Sequence, residues 1–192
     1  MCIRDRLSTA SNATAPLLVV FGGIDVGGVQ SGVYMWNYMA NIKDKFHIFV
    51  ALNSNVNGTQ AYRSLMETLK AKGLTPSRQI LYLFSGGYNP GIQLLTGSGA
   101  DLFSSIYLVD IWMGEGKDHR STVPNFYKAL ANKNAAKLTY VYTGFGANNA
   151  GARDYIAKKL GSARATLVRG GRHETGMQNH MRTNSVAIGT LQ

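Results

Sequence analysis

Cysteine is almost absent from this chain of 192 residues, with Cys2 as the single example. One cysteine forms neither an internal disulfide nor a thiolate metal site, so both are excluded. No apolar run approaches the roughly 18–20 residues of a membrane-spanning helix. Acidic residues are also scarce, 10 against 20 Lys and Arg, which gives a formal net charge of +10. That balance favours polyanions, but no Lys/Arg stripe interleaves with aromatics, so we do not expect nucleic-acid binding.

The first six residues, MCIRDR (Met1 to Arg6), form an unusual start. They can be encoded as ATG-TGT-ATA-AGA-GAC-AGx, which resembles a transposase mosaic-end adapter used in sequencing libraries. We therefore expect translated adapter in a metagenomic sequence, with Cys2 foreign to the protein and the true start missing. The localisation stays open for that reason.

The following stretch, LSTASNATAP (Leu7 to Pro16), is small and polar and is interpreted as a flexible lead-in or linker. Residues 1–15 are accordingly expected to be artefactual or disordered. Residues 16–192 are expected to form one domain, since this length fits a single core.

Beyond Pro16, short apolar runs alternate with segments of helical spacing. Leu17 to Phe21 (LLVVF) is typical of a buried strand. The further predicted strands are Phe46–Leu52, Gln79–Phe84, Ser104–Trp112, Lys137–Phe145 and Ala165–Gly170. The predicted helices are Ser31–Ala40, Thr59–Lys72, Pro90–Leu95, Val123–Asn132, Ala150–Leu160 and a C-terminal segment. This alternation predicts an α/β fold, a three-layer sandwich with a mostly parallel sheet of about six strands and helices on both faces.

Glycines concentrate where the predicted strands end, as in FGGIDVGG (Phe21 to Gly28). In parallel α/β sheets, ligands bind beyond the carboxyl ends of the strands, and glycine permits the close backbone approach that such loops need. FGGIDVGG lacks the G-x-G-x-x-G spacing, and no P-loop Lys-Ser/Thr follows it. A nucleotide- or sugar-nucleotide-binding domain is therefore kept as an alternative.

The stretch LYLFSGGYNPG (Leu81 to Gly91) ends an apolar run on Ser85. A nucleophile elbow holds a serine between strand and helix, with small residues two before and two after it. Gly87 meets the second requirement, whereas the bulky Leu83 departs from the first.

The histidine and acid that an elbow serine requires have candidates at later strand ends. His173 follows the last predicted strand, in VRGGRHETG, where the base of an elbow serine comes from. Asp110 ends the fourth strand and is our choice for the acid, with a cap of the next helix or loop as its alternative role. The backbone N–H of Gly86, with that of Gly23 or Ile24, would form the oxyanion site.

Together these features resemble the α/β-hydrolase superfamily, in the form of its minimal cutinase- and lipase-like members. The resemblance runs from about Pro16 to His180 and matches the family's third to eighth strands, with the first hairpin missing. It implies a serine hydrolase that cleaves an ester, thioester or amide through an acyl-enzyme, on a small-molecule or polymer ester substrate. Ser85 would be the nucleophile, His173 the base and Asp110 the acid, without a metal or organic cofactor.

An apolar, aromatic-rich rim is expected around this site. Asp25 would shape the first-strand loop or contact substrate directly. The other expected pocket residues are Ile24, Val26, Tyr88, Trp112, Met113 and Phe145. The main alternative to an enzyme is a non-catalytic hydrolase-like binding or structural module of a larger protein, such as a phage protein. The oligomeric state is left open.

Overall fold

The computed structural model describes residues 6–23, 31–51, 55–96, 100–111, 137–142, 165–170 and 177–191, together with residues 158 and 161. In this part of the chain seven strands form one sheet, in the order β1-β3-β2-β4-β5-β6-β7. The strands are β1 (Arg6–Ser8), β2 (Leu17–Phe21), β3 (His47–Ala51), β4 (Gln79–Phe84), β5 (Ser105–Val109), β6 (Lys137–Tyr142) and β7 (Ala165–Arg169). The helices are α1 (Ser31–Met39), α2 (Gly58–Ala71), α3 (Tyr88–Leu94) and α4 (Met177–Gly189).

The sheet is parallel from β3 to β7, and helices cover both of its faces. Alternate residues of the buried strand β2 point to opposite faces, as the two-residue repeat of a strand requires. Leu17 and Val19 join one apolar cluster with α2 and α3, whereas Leu18 and Val20 join another with α1 and α4. The predicted three-layer α/β architecture is confirmed.

Most predicted elements have close counterparts. The strands Leu17–Phe21 and Gln79–Phe84 have the predicted bounds, and α2 begins and ends one residue earlier than expected. The helices expected at Val123–Asn132 and Ala150–Leu160 lie outside the described residues, apart from Lys158, which is helical. Among the helices of the described ranges, none is long and apolar enough to cross a membrane.

The sheet has one strand more than the six expected, and the expected lack of any strand before Leu17 is wrong. The extra strand, β1, pairs antiparallel with β3, with Leu7 opposite Phe49. Arg6 also lies over the Trp36 ring, 5.5 Å from its centroid. This strand could not be recognised from its sequence, because a three-residue edge strand is formed by backbone pairing with its neighbour and does not need an apolar run.

The imidazole of His47 ties the segment after β1 to the sheet. His47 is fully buried at the start of β3. The Ala10 N–H donates to Nδ1 at 3.2 Å, and Nε2 lies 3.2 Å from the Ala13 carbonyl oxygen. A neutral ring with its proton on Nε2 satisfies both contacts at once.

Two tyrosines of the central strands hold α4 against the sheet. The Tyr82 hydroxyl donates to Asn184 Oδ1 at 2.8 Å, and the Tyr107 hydroxyl donates to the Thr190 carbonyl at 2.8 Å. Their rings stack at 6.1 Å with an interplanar angle of 13°. Burial raises the pKa of Tyr82 well above its ordinary value, because the phenolate would lose its hydration there.

Replacing His47 by alanine tests the tie between the first residues and the sheet. We expect the free energy of unfolding to fall by about 2–4 kcal/mol, because the buried Ala10 N–H loses its acceptor and a cavity opens. The Ala10 amide should also lose protection from hydrogen exchange. The neighbouring exposed substitution Lys45→Ala is the control, with an effect within about 0.5 kcal/mol. Equal effects of the two substitutions would show that the imidazole does not stabilise this segment.

Candidate active site

The turn after β4 holds Ser85 in an unusual backbone conformation. Phe84 is still extended (φ −110°, ψ 129°), whereas Ser85 has φ +50°. A 3-10 turn over Ser85–Gly87 then leads directly into α3. A positive φ at a residue with a side chain costs roughly 1–3 kcal/mol and persists only where the surrounding structure enforces it. The turn is therefore a strained strand-to-helix junction that presents a half-buried serine.

Asp110 has the same kind of backbone strain one strand away. It follows β5 with φ +43° and is 2% exposed. Its N–H donates to the Val141 carbonyl at 2.7 Å, which extends the pairing towards β6. Because Phe84 and Val109 are register partners, Ser85 and Asp110 occupy equivalent positions past the ends of adjacent strands. These two are the non-glycine residues of positive φ within the described ranges.

Glycines let the end of β2 approach the Ser85 turn closely. A Cβ placed on Gly23 would lie 2.8 Å from Ser85 Cβ, 3.2 Å from Ser85 Oγ and 3.6 Å from the Gly86 nitrogen. A Cβ on Gly87 would collide with the Phe21 carbonyl and come within 2.7 Å of the Gly22 oxygen. Any larger residue at position 23 or 87 would thus displace the turn. The predicted oxyanion residues Gly23 and Gly86 are brought together beside the Ser85 hydroxyl.

The bulky Leu83, which departs from the elbow pattern, is accommodated by a missing side chain on α3. A Cβ on Gly91 would collide with Leu83 Cδ1 and lie 2.6 Å from Cδ2. Leu83 is fully buried, and Gly91 is buried opposite it. In the usual elbow, a small residue two before the serine leaves room for the helix to pack against the strand. Here Gly91, six residues after the serine, leaves that room instead. Sequence inspection missed Gly91, although a glycine inside a short helix was a signal.

Tyr88, expected on the pocket rim, is 5% exposed and packs in the apolar cluster beneath α2 and α3. Burial raises the pKa of its phenol. The remaining predicted site residues lie outside the described residues; they are His173, Ile24, Asp25, Val26, Trp112, Met113 and Phe145.

The segment that contains His173 begins just past the end of β7 and ends at the start of α4. The Gly170 N–H donates to the Tyr142 carbonyl at 2.8 Å, just past the end of β7. A Cβ on Gly170 would meet Thr183 Cγ2 at 2.5 Å, so this glycine allows α4 to pack closely. The chain therefore leaves the sheet at Gly170, on the carboxyl edge that also carries Ser85 and Asp110, and α4 begins at Met177.

Comparison with solved structures identifies the architecture. The IroE-like serine hydrolase of Shewanella oneidensis matches with a TM-score of 0.64 at 10% identity, over 96% of this chain and 72% of that one. Esterase 2 of Thermogutta terrifontis, phosphoramylated by tabun, matches with a TM-score of 0.64 at 9% identity, over 96% and 87%. The enzyme 1H-3-hydroxy-4-oxoquinoline 2,4-dioxygenase matches with a TM-score of 0.56 at 12% identity, over 96% and 92%. No family model matches the sequence, and neither does any curated protein.

The chain has the α/β-hydrolase fold, and its structural neighbours include esterases and serine hydrolases. The dioxygenase among those neighbours illustrates that this fold carries more than one chemistry. At these identities the likeness establishes the fold, and the activity has to be argued from the side chains.

A double-mutant cycle tests the complementary packing of Leu83 and Gly91. We expect Gly91→Ala alone to lower the free energy of unfolding by about 1–3 kcal/mol, through overpacking. Leu83→Ala alone should lower it by about 2–5 kcal/mol, through the cavity it leaves. In the Leu83→Ala background, Gly91→Ala should become neutral or stabilising, since the new methyl group fills that cavity and alanine favours a helix. Chemical denaturation of the four proteins measures the coupling.

Gly189 supplies the matched control for that cycle. It is also a helical glycine, but a Cβ there would meet nothing within 4 Å. Gly189→Ala should have the same effect in both backgrounds. Additive effects of Leu83→Ala and Gly91→Ala would contradict the packing argument.

Proposed function

We propose that this protein is a serine hydrolase that cleaves an ester, thioester or amide through an acyl-enzyme on Ser85. The observation that carries the proposal is the strained backbone of Ser85, with its hydroxyl beside Gly23 and the Gly86 nitrogen. A left-handed serine between strand and helix, at the carboxyl edge of a parallel sheet, is the arrangement that exposes a nucleophile. The esterases among the structural neighbours favour a carboxylic ester as substrate.

In the proposed mechanism, Ser85 Oγ attacks the substrate carbonyl while the imidazole of His173 accepts the hydroxyl proton. The negative charge then develops on the former carbonyl oxygen, beside the backbone N–H groups of Gly86 and Gly23. Expulsion of the alcohol, thiol or amine takes that proton from His173. Water, deprotonated by the same imidazole, attacks the acyl-enzyme. The acyl–Oγ bond then breaks, Ser85 Oγ takes the proton back from His173, and the acid is released.

Asp110 is the proposed carboxylate partner of His173. Its position, past the end of the strand next to that of Ser85, supports this role. Its burial also supports this role, because a buried carboxylate requires a hydrogen-bonding or charged partner. A carboxylate there would orient the imidazole and stabilise its protonated form.

Labelling with a fluorophosphonate probe tests the nucleophile. The wild-type chain should be labelled, and Ser85→Ala should not. His173→Ala and Asp110→Asn should label about 10³–10⁴ times more slowly, because Ser85 loses its base or the base loses its orientation. Ser77→Ala, at an exposed serine, is the matched control and should label like the wild type. Folded wild-type protein that resists the probe would favour the non-catalytic binding module.

Relief of strain gives a second, independent test of the site. Glycine adopts positive φ without steric cost, so Ser85→Gly should raise the free energy of unfolding by about 1 kcal/mol while it abolishes labelling. Ser77→Gly, at an exposed residue of the described ranges without a positive φ, should instead be neutral or destabilising. A loss of stability in Ser85→Gly would contradict the view that Ser85 is held in a strained conformation for a functional reason.

A further inference from the structure

A groove separates α1 from α4 on the face of the sheet opposite α2 and α3. Its volume is about 500 Å³, within the range of ~300–1,000 Å³ that small-molecule sites occupy. Six of the described residues line it: Tyr34, Asn37, Tyr38, Asn41, Ser185 and Ile188. The α3 helix and the Ser85 turn belong to the other face and the carboxyl edge, so this groove is separate from the proposed catalytic centre.

The lining that the described residues provide carries no charge. Tyr34, Asn37, Tyr38 and Asn41 are spaced at three, four and seven residues and so form one stripe along the helical segment. The twelve residues from Ser31 to Ile42 contain no Asp, Glu, Lys or Arg, in a chain with 20 basic residues. A half-exposed helix normally has charged residues on its solvent side. Among the described residues, this surface therefore offers no cation that would favour a phosphate or a carboxylate.

The polar atoms of the groove have unused hydrogen-bonding capacity. The side chains of Asn37, Asn41, Tyr34 and Ser185 make no hydrogen bond with any residue of the described ranges. Each asparagine amide presents one acceptor and two donors, and each hydroxyl presents both. Tyr34 is 43% exposed, so much of its ring is available as a flat apolar surface.

We propose that this groove binds a neutral, hydroxyl-rich ligand, namely a sugar residue of a glycan. A pyranose presents adjacent hydroxyls that pair with an amide acting as donor and acceptor, and its C–H face packs on an aromatic ring. Its described residues supply both features and none of the cations that an anionic ligand would need. The proposal is independent of the hydrolase activity, because it uses none of the residues around Ser85.

Titration of the full chain, ¹⁵N-labelled, with neutral disaccharides tests the proposal. The probes are maltose, cellobiose, lactose and N,N′-diacetylchitobiose, with glucose and glucose 6-phosphate as a neutral and anionic pair. At least one neutral disaccharide should shift the amides of α1 and α4 saturably, with a Kd at or below about 1 mM. Glucose 6-phosphate should bind no more tightly than glucose.

Four variants connect that binding to the groove. Asn37→Ala and Asn41→Ala should each weaken binding by about 2- to 10-fold through lost hydrogen bonds. Tyr34→Phe should retain affinity better than Tyr34→Ala, since the ring provides the packing surface. Gln60→Ala, exposed on α2 at the opposite face, is the matched control and should leave the Kd unchanged. Circular dichroism checks that each variant is folded, and the four groove variants and the Gln60→Ala control should all label with fluorophosphonate like the wild type.

Three outcomes would overturn the proposal. They are no saturable shift with any neutral disaccharide, unchanged binding in the Asn37→Ala/Asn41→Ala double variant, and tighter binding of the phosphorylated sugar than of its neutral counterpart. None of them bears on Ser85, since labelling is a separate measurement. Conversely, if the protein binds a disaccharide but is not labelled by fluorophosphonate, the sugar-binding proposal stands and the hydrolase proposal fails.

Discussion

The candidate site depends on how closely two backbones approach each other at the carboxyl edge of the sheet. The end of β2 lies against the turn after β4 so tightly that residues 23 and 87 have no room for a side chain. That contact fixes the turn from outside and helps to enforce the left-handed conformation of Ser85. The apolar clusters on the two faces of the sheet supply the stability that offsets this strain. The serine is thus positioned by main-chain packing before any side chain contacts it.

The packing of Leu83 against Gly91 shows why the elbow pattern calls for a small residue: the strand and the helix cross closely, and there is room for only one side chain between them. Strand β4 and helix α3 meet just after the turn, and one of the two must give up a side chain where they cross. The usual motif removes it from the strand, whereas this chain removes it from the helix. A departure from the motif at Leu83 is therefore no evidence by itself that the nucleophile has been lost, and a motif search limited to five residues would miss the compensation.

The sequence predicted the parts of the fold that periodicity controls and missed those that depend on distant partners. Leu17–Phe21 is a continuous apolar run, so its burial in a parallel sheet could be predicted directly. Ser85 and Asp110 could be located because each ends such a run. The strand β1 could not be predicted, since Arg6–Ser8 is stabilised by pairing with β3, some forty residues away. The groove was missed for a similar reason. The stripe from Tyr34 to Asn41 forms one wall of a groove only because α4, which is distant in sequence, lies beside it.

The order of the strands has a consequence for how the chain folds during synthesis. After β4, each successive strand joins the edge left by the one before it, so β5, β6 and β7 can add in the order in which they are translated. The helix α4 follows β7 in the chain, so until it is synthesised the Tyr82 hydroxyl lacks its Asn184 partner and the apolar face around it lacks the residues that α4 contributes. A nascent chain that has β4 to β7 but not α4 therefore presents an open apolar surface with a parallel strand at its growing edge. Transiently exposed apolar surface of this kind makes a folding intermediate prone to aggregation until it is covered.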